Sequence, residues 1–181
     1  MAEQISLRLP FIGDYSVTFA FGTVSDNEEI KRKFAEWGIV GHNGVDYGLP
    51  EGTGVVATAI GKVIQAGENG DFGISITIRH KWGISLYAHL KGAKVSVNQE
   101  VKKADVIGLS GKSGVAFGQH LHFGIKPINA DLNNGYLGFI DPSPFLKSRR
   151  SKTSRKSRTS SKSKGITSST GTTGITSREN Q

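Results

Sequence analysis

From Gly54 to Gly92 apolar and polar positions alternate at a period of two, the pattern of strands with one covered face. In Ile74-Ser75-Ile76-Thr77-Ile78-Arg79 the three isoleucines fall on one side and Ser75, Thr77 and Arg79 on the other. The run Ser85-Leu86-Tyr87-Ala88-His89-Leu90 predicts a further strand, with Leu86, Ala88 and Leu90 apolar and Ser85, Tyr87 and His89 on the polar face. Glu68-Asn69-Gly70-Asp71 has turn chemistry. A different period precedes these strands. In "SDNEEIKRKFAEWG" Ser25 and Glu28 have the spacing of a capping box, Ile30, Phe34 and Trp37 share one helical stripe, and Gly38 can end the helix. The pattern predicts a mainly β fold: a single antiparallel sheet, barrel- or sandwich-like, with one short N-terminal helix.

Charge divides the chain. The whole sequence is 181 residues with a formal net charge of +8, but residues 1–146 carry 13 Lys and Arg against 14 Asp and Glu. Residues 147–181 carry 10 Lys and Arg and one Glu, with no aromatic residue. Such a Ser/Lys/Arg-rich segment cannot bury enough apolar surface to offset the entropy of ordering, so it is expected to be a disordered basic tail. It has the charge to hold an anionic polymer, teichoic acid or nucleic acid, by counterion release, or simply to keep the chain in solution. A domain over 1–146 and a tail over 147–181 follow.

There is no cysteine, so a metal would have to be held by His, Asp or Glu. The opening "MAEQISLRLPFIGDYSV" lacks the basic start and apolar run of a secretion signal, and no stretch is long enough to span a bilayer. The expectation is a chain made in the cytoplasm with no integral membrane segment.

Only five histidines occur, and two stand one residue apart in "GQHLHFG", residues 118–124. On a strand His120 and His122 would share one face while Leu121 and Phe123 face the core. His42 and Asp46 in "GHNGVDYGLPEG" are four apart, in a stretch whose glycines and proline favour an irregular turn over a helix. Together, HxxxD and HxH offer His, Asp and His, with a fourth position open for water, which is the pattern of a catalytic zinc. His80, beside Lys81 before a turn, reads as an ordinary histidine.

His42-Asn43-Gly44-Val45-Asp46, Tyr87-Ala88-His89-Leu90, Ser113-Gly114 and His120-Leu121-His122-Phe123 resemble, in order and spacing, the motifs of the lysostaphin-type zinc endopeptidases. The resemblance covers roughly residues 10–146. It implies a lysostaphin-type peptidase domain that uses Zn2+ to cut the peptide cross-links of bacterial peptidoglycan. It also implies His42, Asp46 and His122 as zinc ligands and His89 and His120 as catalytic histidines, one the general base and the other steadying the oxyanion. The alternative is a non-catalytic wall-binding or hydrolase-activating module of the same fold, or a sugar-phosphotransferase domain of similar architecture; the complete ligand set favours the enzyme.

The chain departs from the family pattern in "GVAFGQH" before the second motif, which brings Phe117 and Gln119 to the site, in Gly124 where an acidic residue is usual, and in Val40-Gly41 where an Arg is common. These positions should shape the substrate groove. "GLSGKSG" is a turn, since Val106 stands where a phosphate loop needs glycine, and "DFG" at 71–73 has no other kinase element beside it. With no export signal, the resemblance suggests a phage-type wall hydrolase, carried in a virion or released as a lysin.

Overall fold

The computed structural model describes residues 4–147. Of the segment expected to be a disordered tail, residues 148–181 lie outside the described residues, whereas Lys147 is in the last strand, paired with Arg8. Twelve regular elements follow in order: β1 (Leu7–Arg8), β2 (Val17–Phe19), α1 (Glu28–Trp37), β3 (Val45–Tyr47), β4 (Gly54–Val56), β5 (Gly61–Glu68), β6 (Ile74–His80), β7 (Gly83–Ala93), β8 (Glu100–Val101), β9 (Val106–Ser110), β10 (Leu121–Pro127) and β11 (Leu146–Lys147). Nine strands form one antiparallel sheet in the order β2-β3-β10-β7-β6-β5-β8, with β9 pairing β7 and β4. The expected mainly β fold with one helix is what forms. A short parallel pair, β1 with β11, is added to it, closing the two ends of the domain against each other. Among the described residues no helix is long and apolar enough to cross a membrane.

The helix starts two residues later than its capping box suggests. Asn27, not Ser25, is the N-cap: its side chain accepts from the Glu29 and Ile30 amides, while Ser25 Oγ accepts from the Asn27 amide. An Asn can reach both N2 and N3 amides, so it displaces the Ser as cap. Gly38 ends the helix in the left-handed conformation at φ 68°, as a C-terminal glycine should. Of the stripe, Phe34 is buried and Ile30 and Trp37 are half-buried.

The core corrects the reading of β6 and β7. Ile76 and Ile78 are fully buried, but so is Ser75 on the opposite face, where its hydroxyl reaches Gln65 and Asn69; Thr77 is buried too. On β7 the predicted faces are exchanged. Tyr87 and Leu90 enter the main core with Phe123, Ile125 and Leu121, whereas Leu86 and Ala88 pack with Phe139 on the other side. Two core residues three apart on one strand require an extra residue between them. The ladder shows it: Ile74 and Ile76 of β6 face Leu90 and Tyr87 of β7, two steps against three. The insertion is a bulge at His89, whose φ is 60°. It turns His89 away from Ser85 and Tyr87 and onto the face of Ala88.

The Tyr87 hydroxyl, an apolar-face intruder, is satisfied inside the core by the Thr58 amide at 2.9 Å and by Ser85 Oγ at 3.1 Å. Ser85 Oγ in turn lies 2.8 Å from His80 Nε2, while His80 Nδ1 donates to the Ile60 carbonyl at 2.7 Å and the ring stacks on Trp82. His80 is thus a buried structural histidine. Burial pushes its pKa down from the ordinary 6.5, against the opposing pull of the Ile60 carbonyl. The unfolded chain takes this proton near pH 6.5 and the folded chain resists it, so the stability this ring contributes is complete above pH 6.5 and declines as pH falls below it. An NMR titration of the ring is expected to give a midpoint below 6.5; a midpoint at or above that value contradicts the assignment.

Candidate active site and metal centre

Strand β10 is the middle of the site. It lies between β3 and β7, with Asp46 directly opposite His122 on one side and Ala88 directly opposite His122 on the other. Residues paired across a ladder point to the same face, so Asp46, His122 and Ala88 share one surface while Val45, Phe123 and Tyr87 share the core surface. Leu121 and Phe123 are fully buried and anchor the strand. His42 reaches the same surface from the irregular segment before β3, and Asp46 sits on β3 itself, in a strand where the glycines suggested a turn.

Three ligand-type atoms converge there. His42 Nε2 and His122 Nδ1 are 3.0 Å apart, and Asp46 Oδ1 lies 3.1 Å from the first and 3.0 Å from the second. His42 Nδ1 donates to the Ala20 carbonyl at 3.2 Å. A carbonyl can only accept, so in the neutral ring the proton is on Nδ1 and Nε2 presents a lone pair. That lone pair faces a carboxylate and a second imidazole nitrogen. At most one proton, on His122 Nδ1, can be placed among the three, and it cannot satisfy all of them. A cation can. Tetrahedral zinc with ligands at about 2.0–2.1 Å would separate the ligand atoms by about 3.3 Å, so only a few tenths of an ångström of movement is needed. The residues present fit the ion.

The other two histidines border this cluster. His89 Nδ1 donates to the Ser113 carbonyl at 2.9 Å and His120 Nδ1 to the Gly118 carbonyl at 2.9 Å. In the neutral ring of each, Nε2 then presents a lone pair, and His120 Nε2 lies 3.6 Å from Asp46 Oδ2. The His89 ring is 4.7 Å from His120 and 6.0 Å from His122. Sequence-identified His42, Asp46, His89, His120 and His122 are all brought together.

The surroundings tune the charges. Burial alone would raise the Asp46 carboxyl, but the close contacts with the His122 and His42 rings outweigh it and hold the group well below the usual carboxylate range. It is an anion at any working pH. Burial, reinforced by His122 and His120, pushes His89 down to about 4, and burial lowers His122 as well. Both are neutral imidazoles at pH 7, the form that binds metal or accepts a proton.

The glycine between His42 and Asp46 has a specific cause. A Cβ on Gly44 would lie 2.6 Å from His122 Cε1, 2.7 Å from His122 Nε2 and 2.8 Å from the Phe123 carbonyl. Only glycine leaves the His122 ring where it is. His122 Nε2 is buried over this glycine without a hydrogen-bond partner, so the ring is located by packing and by its Nδ1 side. Gly124 is similar in kind: a Cβ there would meet the Phe139 ring at 2.9 Å, which is why no acidic residue stands after the second motif.

The model of peptidase family M23 matches residues 40–134, just over half of the chain. The chain belongs to peptidase family M23, a family of metallopeptidases. Among its relatives is the DD-carboxypeptidase/endopeptidase Mpg of Neisseria meningitidis, 41% identical over 83 residues, which are 45% of this chain and 19% of that protein. The M23 chain here spans about a third or less of the curated relatives it matches. The catalytic domain of the antimicrobial peptidase lysostaphin from Staphylococcus simulans superposes with a TM-score of 0.59 at 29% identity, over 72% of this chain and 91% of that one. A zinc-containing peptidase from Vibrio cholerae gives a TM-score of 0.62 at 28% identity, over 77% and 39%.

The site lies in a cleft of about 660 Å3. Phe117 and Gln119 line it as their position suggested, with Phe117 53% exposed at the surface. Other lining residues carried no motif: Phe19, Phe34 and Trp37, and Asp71 and Phe72 of the "DFG" turn. The apolar stripe of α1 reads in the sequence as a packing face, with no sign that it borders the site. The Ser113 carbonyl was also missed as a partner of His89, since a backbone acceptor leaves no mark in the sequence.

Replacing Gly44 with alanine should push the His122 ring off its position and weaken zinc binding about 10–100-fold, as loss of ligand support does. Competition titration against a chromophoric chelator measures this, and unchanged affinity would count against the packing argument.

Proposed function

We propose that this M23 domain is a zinc-dependent endopeptidase that hydrolyses peptide cross-links of bacterial peptidoglycan, with His42, Asp46 and His122 holding the metal. The observation that carries the reading is the convergence of two imidazole nitrogens and a carboxylate oxygen within 3.1 Å of one another, with two further histidine Nε2 atoms beside them in one cleft. Zinc held there supplies a Lewis acid, polarising an amide carbonyl and letting water ionise near neutral pH.

The protein's own groups do the rest. His89 and His120, each with its Nδ1 proton given to a backbone carbonyl, have Nε2 lone pairs on rings that border the centre. One of them accepts the proton of the attacking water and returns it to the leaving amine; the other, carrying at Nε2 a proton taken up from solvent, donates to the oxygen that gains charge. Asp46, already anionic, stays a ligand and takes no part in proton transfer. The backbone carbonyls of Ser113 and Gly118 orient both rings so that little reorganisation is needed during the reaction.

The catalytic unit of this reading is residues 1–146, and the basic segment 147–181 is an appendage whose charge suits anionic wall polymer. A chain ending at 146 should keep its activity on soluble muropeptides and lose sedimentation with purified walls at low salt; equal sedimentation would remove the anchor from the proposal.

His120→Ala should lower the rate of muropeptide release by about 10²–10⁴-fold, the usual contribution of a general acid–base group, while near-stoichiometric zinc is retained. Mass spectrometry of the fragments, with and without chelator, supplies the readout. Release that continues at full rate in excess chelator would contradict the metal-dependent mechanism.

A further inference from the structure

On one side of the metal centre the cleft is bounded by a closed circuit of aromatic side chains. Starting at the His42 ring, Phe19 of β2 is 4.7 Å away between ring centres, Phe34 of α1 lies 6.5 Å beyond it, and Trp37 is 6.2 Å from Phe34. Trp37 Nε1 donates to Asp71 Oδ2 at 2.6 Å. The next residue, Phe72, stands 5.7 Å from the His122 ring, which is 4.9 Å from His42 and completes the circuit. All of these residues line the same cleft.

The charges at this end are already engaged. Asp71 holds the Trp37 indole, and Lys33 Nζ is paired with Glu36 at 2.7 Å. What faces the space between is mostly carbon. We infer that this compartment is a specificity subsite for an apolar side chain, alanine-sized or larger, on the residue flanking the scissile amide, and that the Trp37–Asp71 hydrogen bond sets its size. The inference rests on the endopeptidase reading, because closeness to His42 and His122 is what makes the occupant the immediate neighbour of the bond cut. A glycine there leaves the aromatic walls uncovered, and an anionic side chain would be desolvated beside the Asp71 carboxylate with no counter-ion. A sugar ring would bring several hydroxyls to walls that offer few polar partners.

The adjoining wall also explains why Asp71 can hold the latch. Its carbonyl accepts from the Val115 amide at 2.9 Å, and Gly73 and Gly114 meet backbone to backbone, so closely that neither has room for a Cβ. The 70–73 turn is therefore docked on the loop whose Ser113 carbonyl orients His89. The compartment and the catalytic histidine share one support.

The test uses the zinc-loaded full-length chain and internally quenched peptides with a Gly-Gly bond, or with alanine of either configuration or leucine replacing one glycine. On one side of the bond the apolar residue should raise kcat/KM about tenfold or more over glycine, as differences of this size do in apolar pockets. Trp37→Ala should remove that preference, Asp71→Ala should reduce it, and Asp71→Asn, which keeps a carbonyl acceptor for the indole, should retain it. A Gly-Gly peptide cut fastest, or a preference untouched by Trp37→Ala, overturns the subsite.

Binding gives a readout independent of turnover. Trp82 is buried against His80, so in a zinc-loaded His120→Ala chain Trp37 emission should report occupancy, shifting with the apolar peptide and not in the added Trp37→Phe background. If no peptide is cut by the unmodified chain but this shift occurs, the hydrolase reading fails, and with it the subsite's place beside a scissile bond, while the compartment stands as a binding site for an apolar side chain. If peptides are cut and no shift occurs with the apolar one, the subsite fails alone.

Discussion

The register of β10 between β3 and β7 is the constraint on which the site depends. Because Asp46, His122 and Ala88 are direct ladder partners, the two strands flanking β10 deliver a carboxylate and a small residue to the same face as the central imidazole. A slip of one residue would turn His122 into the core and Phe123 into the cleft. The apolar cost of that slip is large, since Leu121, Phe123 and Ile125 are all fully buried. The hydrophobic core thus holds the candidate metal ligands in register, and they need not stabilise the fold.

A second feature is shared by the histidines. His42, His89 and His120 each give the Nδ1 proton to a backbone carbonyl, of Ala20, Ser113 and Gly118 respectively. These acceptors belong to loops fastened to the sheet rather than to mobile side chains. The tautomers are consequently properties of the backbone, and His122, the exception, has its Nδ1 side turned to Asp46 and His42 and its other nitrogen pressed over Gly44. The grouping of the five residues follows from ordinary packing and hydrogen bonding.

Much of this was legible in the chain. The period of two in residues 120–123 places His120 and His122 on one face and Leu121 and Phe123 in the core, and so they lie. Fold class was legible for the same reason, since alternation reports a covered sheet face directly. His89 was found as a residue but placed on the wrong face, because a bulge inserts a residue without a composition that announces it and reverses every later position. The helix cap moved from Ser25 to Asn27 where two good capping residues competed. The aromatic wall was hidden more deeply: Phe34 and Trp37 on a stripe look like core, and only tertiary placement reveals a cleft on their far side.

Zinc-edge X-ray absorption on the metal-loaded chain tests the central claim most directly, because it counts imidazoles at the ion. Two imidazoles with a carboxylate oxygen in the first coordination sphere are predicted, falling to one imidazole or to loss of metal in His122→Ala and unchanged in His89→Ala. Three or more imidazoles, or a spectrum altered by His89→Ala in the same way as by His122→Ala, would contradict the division of His42, Asp46 and His122 from His89 and His120.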